Sequence, residues 1–281
     1  MRGEAVSGQQ HGGTTMKRFI LAIIILPALC LCFSAAVQAE EVADVEEIVS
    51  RANLAAYYAG EDGRAEVKMV ITDSQGRSRE RELVMLRRDV ADGGEQQYYV
   101  YFEKPGDVRK MVFMVHKHLD RDDDRWLYLP ALDLVRRIAA SDKRTSFVGS
   151  HFVYEEVSGR GVDEDTHELL ETTDQHFIVK NVPKNPAGVE FSSYTVWIDR
   201  ATFLPTKAEY FDKAGRGFRL VEAMEVRTVQ EHPTVVKSRA VDLAGGGETV
   251  AEFGDIRYDI GLGDAIFTER YLRRPPRQVR K

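Results

Sequence analysis

The sequence has little cysteine, no excess of positive charge and only one long hydrophobic run, and each shortage excludes a class of protein. Two cysteines among 281 residues are too few for a disulfide-dense scaffold. A net charge of −6 argues against a general nucleic-acid binder, which needs a basic face. The one long apolar run, residues 19–36, lies near the N-terminus and excludes a multi-span membrane protein. With 43% hydrophobic and 30% charged residues, the chain is not a disordered one either.

The first 39 residues have the pattern of a secretory signal. Met16, Lys17 and Arg18 form a basic start, residues 19–36 are apolar, and Val37-Gln38-Ala39 fits the rule of small residues at a cleavage site. We therefore predict cleavage after Ala39 and a periplasmic location, with residues 1–15 as an upstream extension from a wrongly chosen start codon. The alternative is an uncleaved membrane anchor.

Both cysteines, Cys30 and Cys32, lie inside this signal. The predicted mature chain, residues 40–281, therefore has no cysteine and can make no disulfide, thiol nucleophile or thiolate metal site. Without the signal the chain has 36 basic and 44 acidic side chains, a net charge of −8.

The mature chain has the pattern of one helix followed by many strands. Apolar residues at spacings of three and four predict a helix over residues 42–58. From Val67 onwards the period is two, and strands recur about every ten residues, which indicates an antiparallel sheet, sandwich or barrel. We predict one domain over residues 40–281, with its weakest joint in the acidic stretch 160–173. The predicted strands are residues 67–72, 77–88, 97–102, 111–116, 126–129, 176–182, 191–198, 205–211, 218–229, 235–243 and 249–258.

The sequence offers few residues for catalysis or metal binding. It has no nucleophile elbow, zinc-protease motif or phosphate-binding glycine loop. Ser150 and His151 are neighbours in sequence, whereas a catalytic triad needs groups that converge in space. His116 and His118 would share one face of a strand but lack obvious further ligands. We predict no catalytic residue, no metal site and no cofactor.

Apolar residues on both faces of the early strands are more informative. A sheet with one solvated face would alternate strictly, so these strands need a cover on each face. The helix at 42–58 could be one cover, and methionines among the aromatic residues could adapt to a variable apolar ligand, although an ordinary packed core is the alternative. By alternation we predict that the following residues line an apolar cavity: Val67, Met69, Ile71, Leu83, Met85, Phe102, Met111 and Phe113.

The sequence resembles a known family over roughly residues 42–276. The run 124–130 (DRWLYLP), followed by residues 135–138 (VRRI), is similar to the periplasmic outer-membrane lipoprotein-sorting proteins of the LolA-like superfamily. Residues 141–143, 147–156, 194–215 and 265–275 continue the resemblance. His151 and Val153 depart from it, because we expect Asp and Ser there in the family.

This resemblance implies an open, curved antiparallel half-barrel, mainly β with some α, that has an N-terminal helix and a cover of helices and loops over its concave face. Relatives carry lipoprotein acyl chains or other lipids across the periplasm, and members of this subgroup are often linked with RND-type inner-membrane transporters. The resemblance implies no cofactor and no chemistry.

We therefore expect a non-enzymatic carrier, a monomer that binds lipid or lipoprotein acyl chains and no nucleic acid. The alternative is a periplasmic sensor or adaptor that binds a protein partner without carrying lipid. In that case the loop 141–156 and the basic tail, residues 270–281, would dock the partner through Arg270, Arg273 and Arg274. The tail has six basic and no acidic residues, and the favoured interpretation is a frayed, solvated end. The alternative is contact with anionic lipid headgroups or an acidic partner.

Overall fold

The computed structural model describes residues 44–91 and 93–280. The predicted signal and its cleavage site lie outside the described residues. The described residues form three α-helices: α1 (Val45–Tyr57), α2 (Glu155–Ser158) and α3 (Glu269–Arg273). No helix of the described part is long and apolar enough to cross a membrane.

Thirteen strands form a single antiparallel sheet in the order β6-β5-β4-β3-β2-β1-β13-β12-β11-β10-β9-β8-β7. Every neighbouring pair is a sequential hairpin except β1 and β13. The strands are β1 (Asp62–Asp73), β2 (Ser78–Asp89), β3 (Gln96–Lys104), β4 (Val112–Lys117), β5 (Asp124–Leu129), β6 (Leu134–Ile138), β7 (Asp165–Thr172), β8 (His176–Pro183), β9 (Ser193–Asp199), β10 (Pro205–Phe211), β11 (Gly217–Val229), β12 (His232–Asp242) and β13 (Gly247–Tyr258). We call β1–β6 the first half-sheet and β7–β13 the second half-sheet.

The sequence pattern did not predict two of these strands, β6 and β7. The acidic stretch 160–173 is not a joint, because it contains β7, the edge strand of the second half-sheet. The other missed strand is β6, which carries Arg136 and Arg137 and forms the opposite edge. Edge strands are short and charged in many sheets, and this weakens the alternation that would reveal them.

Helix α1 lies where the sequence predicts a helix. The Asp44 side chain accepts a hydrogen bond from the Glu46 backbone N–H and caps its N-terminus. At the other end, Arg87 of β2 donates to the carbonyl oxygens of Ala59 and Gly60, and Gln96 donates to that of Tyr57 at 2.8 Å. These bonds satisfy carbonyls that a helix terminus leaves free, and they fix the end of α1 against the first half-sheet.

The first half-sheet is apolar on both faces, as expected. Its inner face carries Val67, Leu83 and Phe102, which are paired across β1, β2 and β3. Its outer face carries Val84, Tyr99 and Met114, which pack beneath a C-terminal segment, residues 259–280. The most deeply buried side chains of that segment are Phe267, Leu272 and Val279. The C-terminal segment, predicted to be a basic tail, is therefore the cover of the outer face.

Helix α1 is not the cover of the early strands that the sequence suggested, because it packs on the inner face of the second half-sheet. Its Ile48 and Ala52 are buried against Phe177 and Val179 of β8 and Ile198 of β9. The inner face of the first half-sheet is covered instead by residues 143–158, which include Phe147 and Tyr154. A cavity remains between these residues, the end of α1 and the sheet.

Candidate functional site

A cavity of about 440 Å³ lies in the middle of the inner face. The sheet contributes Tyr98 of β3 at one side and Tyr210 of β10 at the other, and the end of α1 and residues 147–157 contribute the roof. In a flat sheet β3 and β10, six positions apart, would be separated by about 29 Å, at about 4.8 Å per strand. Because both strands line one cavity, the sheet must curve around it. The volume is within the range of about 300–1,000 Å³ that small-molecule sites occupy.

Small side chains in register create the space. Ala223 of β11 pairs with Ser238 of β12, Ser238 pairs with Ala251 of β13, and Ala251 pairs with Met69 of β1. All four line the cavity. Since paired residues on one face of a sheet are direct neighbours, this row makes a furrow between bulkier rows.

The register places the predicted cavity residues on one face, but only half of them line the cavity. Val67, Met69, Leu83 and Met85 are in its wall. The other four are Ile71, Phe102, Met111 and Phe113, which are buried on the same face away from the open space. That these eight residues bind a ligand stays a prediction.

Residues 143–158, the cover segment, fill the part of the inner face beside the cavity. Phe147 packs against Phe102 and Phe113 with ring centroids 5.7 and 5.5 Å apart, and Tyr154 lies 5.0 Å from Phe113. These aromatic contacts explain why Phe102 and Phe113 are covered and do not face the cavity. Phe152, Val153 and Val157 of the same segment form part of the cavity roof.

A buried ion network joins the cover segment to neighbouring loops and strands. Glu155 is only 2% exposed, and its carboxylate oxygens lie 3.1 Å from Lys143, 3.1 Å from Arg144 and 3.2 Å from Arg160. Burial alone would raise the pKa of Glu155, but the three cations outweigh burial and hold the pKa below its usual value. The carboxylate therefore stays ionised in the folded protein.

A second pair pins the cover segment directly to the second half-sheet. Arg219 of β11 forms two hydrogen bonds of 2.7 Å with Glu156 and donates a third to the His151 carbonyl. Its guanidinium also lies 5.2 Å from the ring of Tyr210. Glu156 and Tyr210 both line the cavity and form its polar boundary, and Arg219 holds Glu156 in place.

Tyr57, the last residue of α1, closes the roof where the helix meets the cover segment. Its ring lies so near Gly159 that a Cβ there would be 2.7 Å from two ring carbons. Gly159 also has a φ of +78°, so any other residue would be both strained and in collision. Burial and, to a lesser extent, the charge of Glu156 raise the pKa of the Tyr57 hydroxyl well above its usual value. Its hydroxyl remains neutral at the cavity wall.

The structure does not bring the other candidate groups together. His116 lies on the outer face against Trp126 and contacts the Phe267 carbonyl, whereas His118 follows the strand and contacts Glu95 and Asp124. Ser150 donates to the Phe147 carbonyl, and the His151 ring contacts Thr249 instead of Ser150. In the described ranges, no group of three potential ligands is arranged to hold a metal ion.

The three arginines predicted to contact a partner lie in and just after α3, outside the cavity. Arg270 and Arg274 are exposed, and Arg273 donates to the Asp133 side chain at 2.8 Å. Residues 270–280 are not a frayed tail, because Leu272 and Val279 are fully buried beneath them. Partner binding by these arginines stays a prediction.

The cavity residues of the second half-sheet were missed from the sequence. Ala208, Ala223, Ser238 and Ala251 are small, and a small residue in a strand has no strong hydrophobic signal. Each of four successive strands has one small residue at an inward position, and this pattern could have indicated a cavity.

A family model for uncharacterised proteins matches residues 94–274, which is more than half of the chain. The chain belongs to this family. A search of curated proteins found no match. A DUF1329 family protein from Desulfovibrio piger is 28% identical with a TM-score of 0.74, over 81% of this chain and 97% of that one.

Two further solved structures show the same architecture. An outer membrane lipoprotein-sorting protein domain, so described, from Vibrio parahaemolyticus is 26% identical with a TM-score of 0.74, over 82% of this chain and 98% of that one. A LolA superfamily protein from Nitrosomonas europaea is 16% identical with a TM-score of 0.63, over 81% and 98% of the two chains, and this likeness concerns the fold. The fold is therefore LolA-like, a curved antiparallel half-barrel with an N-terminal helix, as predicted.

Proposed function

We propose that this protein is a periplasmic carrier that binds lipid or lipoprotein acyl chains without covalent chemistry. The cavity of about 440 Å³, with its mostly apolar wall, is the observation that carries the proposal. An acyl chain loses about 0.8 kcal/mol for each CH2 exposed to water, so it favours such a space strongly. The kinship with a lipoprotein-sorting domain supports the same role.

The remaining parts of the proposal concern the setting. The chain would be exported by its signal, cleaved after Ala39, and act as a monomeric single domain over residues 40–281. It would receive or deliver its load with an RND-type inner-membrane transporter. Arg270, Arg273 and Arg274 lie apart from the cavity, so contacts made there leave the cavity wall intact.

The direct test is lipid uptake by purified protein. Met69→Asp places a carboxylate in the cavity wall and should abolish uptake of a fluorescent fatty acid while the protein stays folded. Met224→Asp is the matched control, because Met224 is 47% exposed on β11 and does not line the cavity. Native mass spectrometry of protein purified from its own periplasm should show bound lipid. A wild-type protein that carries no lipid and takes up none would contradict the carrier function.

A second variant tests the location of the ligand. Ala223→Phe fills part of the furrow with a volume of about four methylenes, which should weaken binding by about 3 kcal/mol, on the order of a hundredfold. Unchanged affinity would place the acyl chain elsewhere.

A further inference from the structure

A basic surface with an apolar centre lies at one end of the first half-sheet. The loop 104–110 between β3 and β4 and the tip 130–137 of the β5–β6 hairpin are at the same end, since Val112 at the start of β4 pairs with Tyr128 near the end of β5. The bond from Arg273 to Asp133 brings α3 and Arg274, residues 269–274, to this tip. The chain then leaves the tip, since Gln278 accepts a hydrogen bond from Arg64 near the start of β1. We call these three segments the basic tip.

The basic tip is charged against the trend of the whole protein. It contains eight arginines and lysines but only three carboxylates, in a chain of net charge −6. Lys104, Arg136 and Arg137 have carboxylate partners. Arg270 and Arg274 are exposed. Their positive charge therefore points outward.

Exposed leucines accompany these cations. Leu132 at the hairpin tip is 70% exposed and Leu134 is 46% exposed. Scattered exposed leucines are common in proteins. Leu132 and Leu134 flank Asp133, which holds Arg273, so they form an apolar point beside that guanidinium group.

We propose that the basic tip docks this protein on the surface of an anionic lipid bilayer. Guanidinium groups bind phosphate oxygens through paired hydrogen bonds, and exposed leucines enter the acyl boundary just below the headgroups. An acidic protein partner would account for the arginines but leave two apolar side chains without a role. The remaining acidic surface repels an anionic membrane, so the charge distribution also orients the molecule with this end inward.

The inference extends the proposed carrier function, because a carrier has to meet the membrane that supplies or receives its lipid. The basic tip and the cavity have no residue in common. The two proposals can therefore fail separately.

Co-sedimentation with vesicles tests the docking. Wild-type protein should bind phosphatidylglycerol-containing vesicles at low salt and bind pure phosphatidylcholine vesicles much more weakly. The double variant Arg270→Gln/Arg274→Gln should weaken binding about fivefold per charge, on the order of 25-fold in total. Leu132→Ser should weaken it about tenfold.

Matched controls lie on the other half-sheet. Lys184→Gln removes an exposed charge and Leu243→Ser an exposed leucine, and neither should change vesicle binding. Equal binding to both kinds of vesicle, or no loss in the tip variants, overturns the inference. Full competition by polyglutamate together with unchanged binding of Leu132→Ser also overturns it and indicates an acidic protein partner. Fatty-acid uptake should be the same in all these variants, and if uptake is absent in the wild type while docking persists, the carrier function alone fails.

Discussion

The first half-sheet is packed on both faces, whereas the second half-sheet is covered on its inner face and presents much of its outer face to solvent. In β4, every residue from Val112 to Val115 is buried. In β11, buried and exposed positions are mixed, and Met224 and Val226 are exposed. The cavity lies where the bulky inner face of one half meets the small side chains of the other. The difference shows that one half supplies a packed wall and the other supplies space.

The largest effect should come from removing the outer cover of the first half-sheet. Phe267 is fully buried against that face, so Phe267→Ala should lower the free energy of unfolding by about 3–5 kcal/mol. Arg274→Ala, in the same segment but exposed, should change it by no more than about 0.5 kcal/mol. Urea unfolding followed by circular dichroism measures both. Equal effects would mean that the C-terminal segment does not stabilise the sheet.

The same truncation on the two outer faces tests the comparison most directly. Met114→Ala in β4 removes a fully buried side chain and should cost about 2–5 kcal/mol. Met224→Ala in β11 removes a side chain that is 47% exposed and should cost under about 0.5 kcal/mol. Two similar losses of stability would show that the second half-sheet also has a covered outer face.

The ion network of the cover segment should have a smaller effect that depends on pH. Glu155→Gln removes the negative charge that three cations share, and should lower the free energy of unfolding by about 2–3 kcal/mol. Deleting a buried partner outright costs about 3–5 kcal/mol, and the expected loss is smaller here because the amide oxygen still accepts a hydrogen bond. Glu190→Gln is the control, since Glu190 is 40% exposed and contacts Arg144 alone among these cations. We expect a change below about 1 kcal/mol there.

The pH dependence follows from the depressed pKa of Glu155. Its contribution is fully present above the usual value near 4.5 and is lost as the pH falls through the lower, folded-state pKa. The stability difference between wild type and Glu155→Gln should therefore shrink below about pH 4.5. A difference that stays constant down to pH 3 would show that the charge of Glu155 is not what stabilises the cover segment.

The smallest effect should come from adding volume in each half. Val100→Phe enlarges a fully buried residue of β3 and should cost about 1–3 kcal/mol through overpacking. Ala223→Phe points into the cavity and should cost less than about 1 kcal/mol, since space is available. Thermal unfolding of the two variants compares them, and a larger loss for Ala223→Phe would argue against an open cavity.

The sequence predicts the apolar part of this molecule far better than its open part. Helix α1, the early strands and the need for two covers follow from periodicity, because bulky apolar residues recur at inward positions. The family resemblance added the curvature, which periodicity alone does not contain. Alternation also groups Val67, Met69, Leu83 and Met85 on one face, and all four lie in the cavity wall.

The rest depended on contacts between distant segments. Phe102 and Phe113 cannot be assigned to core or cavity until Phe147 and Tyr154 are placed upon them. The row from Ala223 to Ala251 becomes visible only through strand register. The C-terminal segment looked like a basic tail because its arginines outnumber the few apolar residues that are buried.

The pairing of β1 with β13 has a consequence for how the chain acquires its structure. Every other strand finds its neighbour through a nearby turn, but Met69 meets Ala251 across more than 180 residues of chain. During synthesis, one long edge of β1 therefore stays unpaired until almost the whole protein has emerged, and such an edge invites association with other chains. Closing this seam also brings Ala251 beside Met69, so the cavity wall is complete only when this long-range pairing has formed.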